Sequence, residues 1–219
     1  MGHRGARALA PENTLAALGK ALEHGVDEIE VDVRITADGV AVLHHDLSVR
    51  DAAGTALAIS RHSLEELRRH KPDLALLEDA IRTVGRRVPL QLEVKWGEDT
   101  GPVIDVVQSF LADGWQASDF LFGSKKQRTL LELHRALPEV PVVVIEPFFS
   151  LRARLRCRQL GSKRISMNHI GLWPFFIRAM SRSDYELYAY TLNDPAKARS
   201  WHSYGLAGVI TDDPSDFGQ

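Results

Sequence analysis

The sequence predicts an α/β fold, with a mainly parallel sheet and helices packed outside it. Three observations predict it. Strand-like and helix-like segments alternate through most of the 219 residues. The clearest strand segments have a period of two, with apolar side chains on one face and charged ones on the other. The charged residues best suited to chemistry fall near the carboxyl ends of those strands, where a closed (β/α)8 barrel gathers its reactive groups.

Taken in order, Asn13 is placed to cap a helix over 14–24, with Leu15, Leu18 and Leu22 as its apolar stripe and Gly25 as its stop. Residues 28–34 form the clearest strand, with Ile29, Val31 and Val33 opposite Glu30, Asp32 and Arg34. Asp38-Gly39 signals a turn before a strand over 40–44. Residues 46–72 read as irregular, with a helical turn over 63–70, which makes a short insertion after the third strand. A helix over 76–85 leads into a strand over 88–95, which carries Gln91, Glu93 and Lys95 on one face. Beyond it, helices are expected over 103–112, 126–136, 151–160, 174–180 and 195–204. Strands over 120–124, 140–145, 164–167, 186–191 and 207–211 interleave with them. No repeat, linker or low-complexity tract interrupts this pattern, so residues 1–219 read as one domain.

Two irregularities accompany the pattern. If His3-Arg4 opens a strand, nine segments compete for eight barrel positions. The link from Val33 to Val40 is also too short for a crossover helix. Either the chain returns without one, or Asp38-Gly39 closes a hairpin that sets Asp32 opposite His45.

Bulk composition excludes several classes. A net charge of −2 gives no global attraction to nucleic acid. No apolar run approaches the ~20 residues that span a bilayer, so stable membrane insertion is not expected. Cys157 is the only cysteine, which rules out an internal disulfide and fits a cytoplasmic setting.

The functional signal is concentrated in the first 46 residues. His3 and His45 are groups able to move protons, and they bracket Glu30 and Asp32. Two residues apart on one strand, those carboxylates point the same way and repel unless a cation lies between them. Hard divalent cations take such oxygen ligands. Glu93, with Lys95 two residues on, repeats the design on a distant strand. Arg4 offers a forked set of donors matched to phosphate oxygens. The inventory suits cleavage of a phosphate ester, with proton handling on both sides of phosphorus.

Those residues also carry a family likeness. His3-Arg4-Gly5, Pro11-Glu12-Asn13-Thr14, Glu30-x-Asp32-Val33, Thr36-x-Asp38-Gly39, His45-Asp46 and Glu93-x-Lys95 resemble the glycerophosphodiester phosphodiesterase family. Tyr190-Thr191-Leu192-Asn193 and Gly208-Val209-Ile210-Thr211-Asp212 look like its C-terminal motifs, although Tyr190 stands where that family carries tryptophan. The resemblance implies a single-domain (β/α)8 barrel. It also implies metal-dependent hydrolysis of small glycerophosphodiesters to glycerol 3-phosphate and an alcohol. Carried over by motif position, His3 and His45 are the acid–base pair, and Glu30, Asp32 and Glu93 hold Mg²⁺ or Ca²⁺. Arg4 and Lys95 contact phosphate, while Glu12, Asn13 and Asp46 support the site.

Two alternatives keep the barrel: a lysophospholipase D type acting on lipid diesters, and a non-catalytic phosphodiester binder. The apolar residues Trp173, Phe175, Phe176 and Ile177 are the only support for the first, and helix packing on the barrel explains them more simply. Arg152, Arg154, Arg156 and Arg158 read as a solvated helix face, with Leu151 and Leu155 turned inward.

Overall fold

The computed structural model describes residues 1–51 and 53–217. Its main sheet contains β1 (Ile29–Ile35), β2 (Ala41–Leu43), β5 (Leu90–Val94), β6 (Phe120–Ser124), β7 (Val142–Ile145), β8 (Arg164–Asn168), β9 (Glu186–Tyr190) and β10 (Gly208–Val209), while β3 (Ser48–Arg50) and β4 (Ala56–Ala58) form a separate hairpin. The helices are α1 (Leu15–Glu23), α2 (Leu64–His70), α3 (Leu77–Val84), α4 (Gly101–Ala112), α5 (Gln127–Ala136), α6 (Ser150–Leu160), α7 (Pro174–Arg182) and α8 (Pro195–His202).

The strand order is β10-β9-β8-β7-β6-β5-β1-β2, and every neighbouring pair is parallel except β1 with β2. Gly2 closes the circle, bridging in parallel to Ile29 on one side and to Thr211 on the other. Seven parallel strands and this short opening segment make eight barrel positions, giving the expected (β/α)8 form. The ninth candidate, β2, is an antiparallel appendage to β1, so the hairpin is the correct topology. Its register places Val33 opposite Leu43. Asp32 therefore faces His44, whose N–H donates to the Asp32 carbonyl at 3.0 Å, and not His45 as the two-residue turn implied. The loop is longer than a two-residue turn: the Thr36 N–H donates to the Val40 carbonyl at 3.0 Å.

All seven residues of β1 are buried, as barrel strands demand. Ile29, Val31 and Val33 join Leu92, Phe122, Val144 and Leu187 in the core under the helices. Each such side chain contributes about 1.5–3 kcal/mol on burial. The intervening Glu30, Asp32 and Arg34 are buried as well, so the polar face lines the barrel's interior mouth and is not solvated. The 46–72 segment contains the β3–β4 hairpin and α2 over a satellite core of Val42, Val49, Ile59, Leu67 and Leu74.

Two helices depart from expectation. The α1 cap is Thr14, whose hydroxyl accepts from the Ala17 N–H, so Asn13 is free for another task. On α6, Leu151 and Leu155 stand exposed, while Arg156 turns inward and donates to the Ile145 and Ser124 carbonyls at 3.0 Å. These carbonyls are strand-end acceptors that a buried fork can satisfy.

Candidate active site

The turn after the opening segment is built tightly. Arg4 and Asn13 hold left-handed backbone conformations (φ 53° and 57°), a cost more easily met by Asn than by Arg and typical of functional sites. Gly5 (φ 83°) follows because a Cβ there would lie 2.6 Å from the Ala17 backbone of α1. This turn aims the Arg4 N–H at Glu30 Oε2, 3.0 Å away, and brings Arg4 Nε to 3.1 Å from Asp32 Oδ2. Asn13 grips Asp32 twice. Its Nδ2 donates to Oδ2 at 2.9 Å, and its Oδ1 accepts from the Asp32 N–H at 3.0 Å. Glu12 Oε1 accepts from Arg4 Nη1 at 2.7 Å.

Register explains the acid trio. β1 and β5 pair with Asp32 beside Glu93 and Glu30 beside Gln91. One carboxylate oxygen from each of Glu30, Asp32 and Glu93 lies within 4.8 Å of the others. Lys95 Nζ sits 2.5 Å from Asp32 Oδ1 and donates to Glu93 Oε1 at 2.6 Å. Its primary contacts are thus carboxylates, which adds charge neutralisation to the phosphate contact expected from sequence. Lys125 Nζ lies 3.4 Å from Glu93 Oε1.

The charges divide unequally. Burial pushes the Asp32 carboxyl up, but the Lys95 ammonium and Arg4 guanidinium outweigh it and hold it at about 2. Glu30 is raised well above the usual carboxylate range, first by burial and then by Asp32 and Glu93. Among the described residues its Oε1 is buried without a hydrogen-bond partner. An orphaned oxygen among three hard donors fits a divalent cation, which would relieve both the repulsion and the missing contact.

The two histidines line the same cavity of about 310 Å³, together with Arg4, Glu30, Glu93 and Lys95. The two imidazoles therefore share one cavity with two members of the trio. His3 Nδ1 is 2.6 Å from Asp212 Oδ1 and 3.4 Å from Thr191 Oγ1. Asn193 in turn donates to Asp212 Oδ2 at 3.1 Å and accepts from the Asp212 N–H at 2.8 Å. Burial raises the Asp212 carboxyl, but the bonds from His3 and Asn193 bring it below the usual range. On the other side, His45 Nδ1 is 2.8 Å from Asp46 Oδ1, a bond that lowers the Asp46 carboxyl. Arg34 donates twice to the His45 carbonyl, at 3.1 and 2.8 Å, and its Nη1 donates to Glu98 Oε1 at 2.7 Å.

All ten expected site residues therefore gather at the carboxyl end of the barrel. Sequence reasoning did not assign roles to Asp212, Asn193, Arg34, Glu98 or Lys125. Asp212 was within reach, because a polar residue just past the last strand stands at the catalytic end of any barrel. Arg34 and Glu98 are 64 positions apart, and nothing in their local sequence links them. A larger cavity, about 660 Å³, lies at the opposite end near Glu28, Tyr188 and Arg199 and holds none of these residues.

A parallel barrel with two carboxylate-backed histidines beside an acid trio defines a phosphodiesterase-type site. The family model for the glycerophosphoryl diester phosphodiesterase family matches residues 3–216, and the chain belongs to that family. It is 23% identical over 228 residues to the glycerophosphodiester phosphodiesterase of Bacillus altitudinis, covering 97% of this chain and 93% of that protein. The structure of an Oleispira antarctica phosphodiesterase in complex with the product sn-glycerol-3-phosphate superposes with a TM-score of 0.86 at 24% identity, covering 99% of this chain and 93% of the other. The glycerophosphodiester phosphodiesterase of Thermotoga maritima gives 0.79 at 22% identity, with coverage of 99% and 95%.

Proposed function

We propose that residues 1–219 act as one phosphodiesterase barrel that hydrolyses small glycerophosphodiesters to glycerol 3-phosphate and an alcohol. One observation carries this reading: His3 and His45 open onto a single cavity with Arg4, Lys95 and carboxylates of the acid trio. Glu30, Asp32 and Glu93 would hold one Mg²⁺ or Ca²⁺, which when bound supplies positive charge beside the phosphoryl oxygens. Arg4 and Lys95 gather those oxygens from the protein side. Glu12 and Asn13 fix Arg4 and Asp32 for that purpose.

His3 takes the proton of the nucleophile at Nε2, since Asp212 occupies Nδ1 and stabilises the resulting imidazolium. His45, supported by Asp46, gives a proton to the departing alkoxide. Water attacks phosphorus directly, or the substrate's own glycerol hydroxyl attacks first to expel the alcohol and leave a cyclic phosphate, which water then opens to glycerol 3-phosphate with the two histidines exchanging roles. The Oleispira antarctica protein's product complex supports the product side of this reading. The buried single cysteine accords with a cytoplasmic setting.

The deciding assay follows release of glycerol 3-phosphate from glycerophosphocholine with Mg²⁺, with Ca²⁺ and with EDTA. Turnover restored by one of the cations and abolished by EDTA is the expected result. Full activity in EDTA removes the metal from the reading. Absence of turnover on every diester tried, with tight diester binding, converts the barrel into a binding protein.

A further inference from the structure

The mouth of the barrel is apolar in a way that neither the core nor the catalytic chemistry requires. Of the ten large apolar side chains exposed among the described residues, eight lie on segments leaving the carboxyl ends of β5, β7 and β8 or in the first two turns of the helices that follow. They include Trp96 (73% exposed), Phe148, Phe149, Ile170, Trp173 and Phe175 (79%). The opposite end of the barrel carries none of the ten. Packing does not account for them, since Ile177 and Met180 already bury the inner face of α7. Ile170 also lines the 310 Å³ cavity, so the apolar rim runs without a break into the site. Clustered exposed apolar groups mark an interaction surface, whereas scattered ones do not.

Charge indicates what that surface meets. Beside them, Lys125 and Lys126 on the segment leaving β6 and Arg152 on α6 face solvent. Lys126 Nζ stands 5.0 Å over the Trp96 ring and the Arg152 guanidinium 4.9 Å over the Phe149 ring. Their carboxylates are largely withdrawn. Glu146 is buried against Arg152 and Arg156, and Glu98 is buried against Arg34. Asp99 alone is exposed, and it accepts from the Gly101 N–H. Aromatic side chains with flanking cations are the composition that enters the headgroup layer of a bilayer and favours anionic lipid. The chain's net charge of −2 conceals this local surplus.

We propose that the catalytic mouth docks on an anionic lipid surface through the rim formed by the segments after β5, β7 and β8. The cavity then opens onto the membrane, and diesters that carry an acyl chain reach it along the rim while soluble diesters enter from water. The docking rests on the rim alone. The supply of lipid diesters to the site rests on the function proposed above.

The test uses the full chain and sedimentation with vesicles of phosphatidylcholine alone or mixed with phosphatidylglycerol. The variant Phe148→Ser/Phe149→Ser/Phe175→Ser changes only exposed side chains, and Lys126→Glu probes charge separately. The expected result is binding to the mixed vesicles, at least tenfold weaker binding by the triple variant, and weakening by Lys126→Glu or by high salt. Hydrolysis of glycerophosphocholine stays unchanged in both variants. Hydrolysis of lysophosphatidylcholine in mixed vesicles falls with the binding.

No binding by the wild-type chain to either vesicle overturns the proposal. So does equal binding by wild type and the triple variant. A concentration-dependent dimer that the triple variant abolishes, in a chain that ignores vesicles, assigns the rim to a second copy and also overturns it. Rim-dependent vesicle binding in a protein that hydrolyses no diester leaves the docking intact and refutes the enzymatic reading instead.

Discussion

The two histidine rings are held differently. The His3 ring is clamped directly, since Asp212 takes Nδ1 and Asn193 holds Asp212 from two sides, and its backbone N–H also donates to the Thr211 carbonyl at 2.9 Å. His45 is fixed through its backbone, because Arg34 forks onto its carbonyl, while among the described residues its ring hydrogen-bonds only to its neighbour Asp46. The Asp212 side chain is 20% exposed and that of Asp46 is 74% exposed. A half-buried carboxylate shared among several donors sets tautomer and orientation more firmly than an exposed one competing with water. In the proposed reaction, one proton-transfer group is therefore held more firmly than the other.

The largest effects come from removing either ring. His3→Ala and His45→Ala should each lower kcat by about 10²–10⁴-fold, the usual contribution of a positioned acid or base. Cation binding, followed by isothermal titration, should survive in both. Near-normal turnover in both variants would end the acid–base assignment.

The partners then separate the two regions. Asp212→Asn should cost about 100-fold in kcat, the low end of the general acid–base contribution, and Asp46→Asn less than about tenfold, below that range. Equal losses would show that ring clamping and backbone clamping are equivalent here. Arg34→Ala addresses the backbone route. It leaves Glu98 buried and unpaired, and a broken buried pair costs about 3–5 kcal/mol, read as a lower denaturation midpoint. Activity should fall about as far as it does in Asp46→Asn or further, because the His45 carbonyl loses its anchor.

How much of this was legible in the sequence follows from the same contrast. Strand alternation exposed β1 and β5, and two-residue spacing put Glu30 with Asp32 and Glu93 with Lys95, because period two is a local property. The turn at Asp38-Gly39 was visible, but its register was not. A one-residue difference in loop length shifts every cross-strand pair, and so Asp32 faces His44. Asn13 looked like a cap because Asn and Thr are both good caps. Only the fold shows that Thr14 suffices and Asn13 is needed at Asp32. Arg156 and the pair Arg34–Glu98 were illegible for a different reason. Their partners arrive from other strands and loops, and a buried arginine has the same letter as a solvated one. On α6, Leu151 and Leu155 face outward and Arg156 inward, against expectation, while Arg152 and Arg158 face solvent as expected.

The smallest expected effect concerns stability and pH. Asp212 titrates below its ordinary value in the folded chain, despite burial that opposes this, because His3 and Asn193 bind its ionised form. A group with a depressed folded value contributes stability above its unfolded value of about 4 and loses it as pH falls through the lower folded value. Wild type should therefore exceed Asp212→Asn in denaturation midpoint at pH 7, and the gap should close only below about pH 4. The Asp46→Asn pair should show a much smaller gap at every pH, since water screens that carboxylate. Thermal melts of wild type, Asp212→Asn and Asp46→Asn in EDTA between pH 3 and 7 read both differences without interference from cation binding. If the gap for Asp212 stays constant down to pH 3, the carboxylate–imidazole bond contributes nothing to stability and the rigid side of the site owes its order to the barrel closure at Gly2 instead.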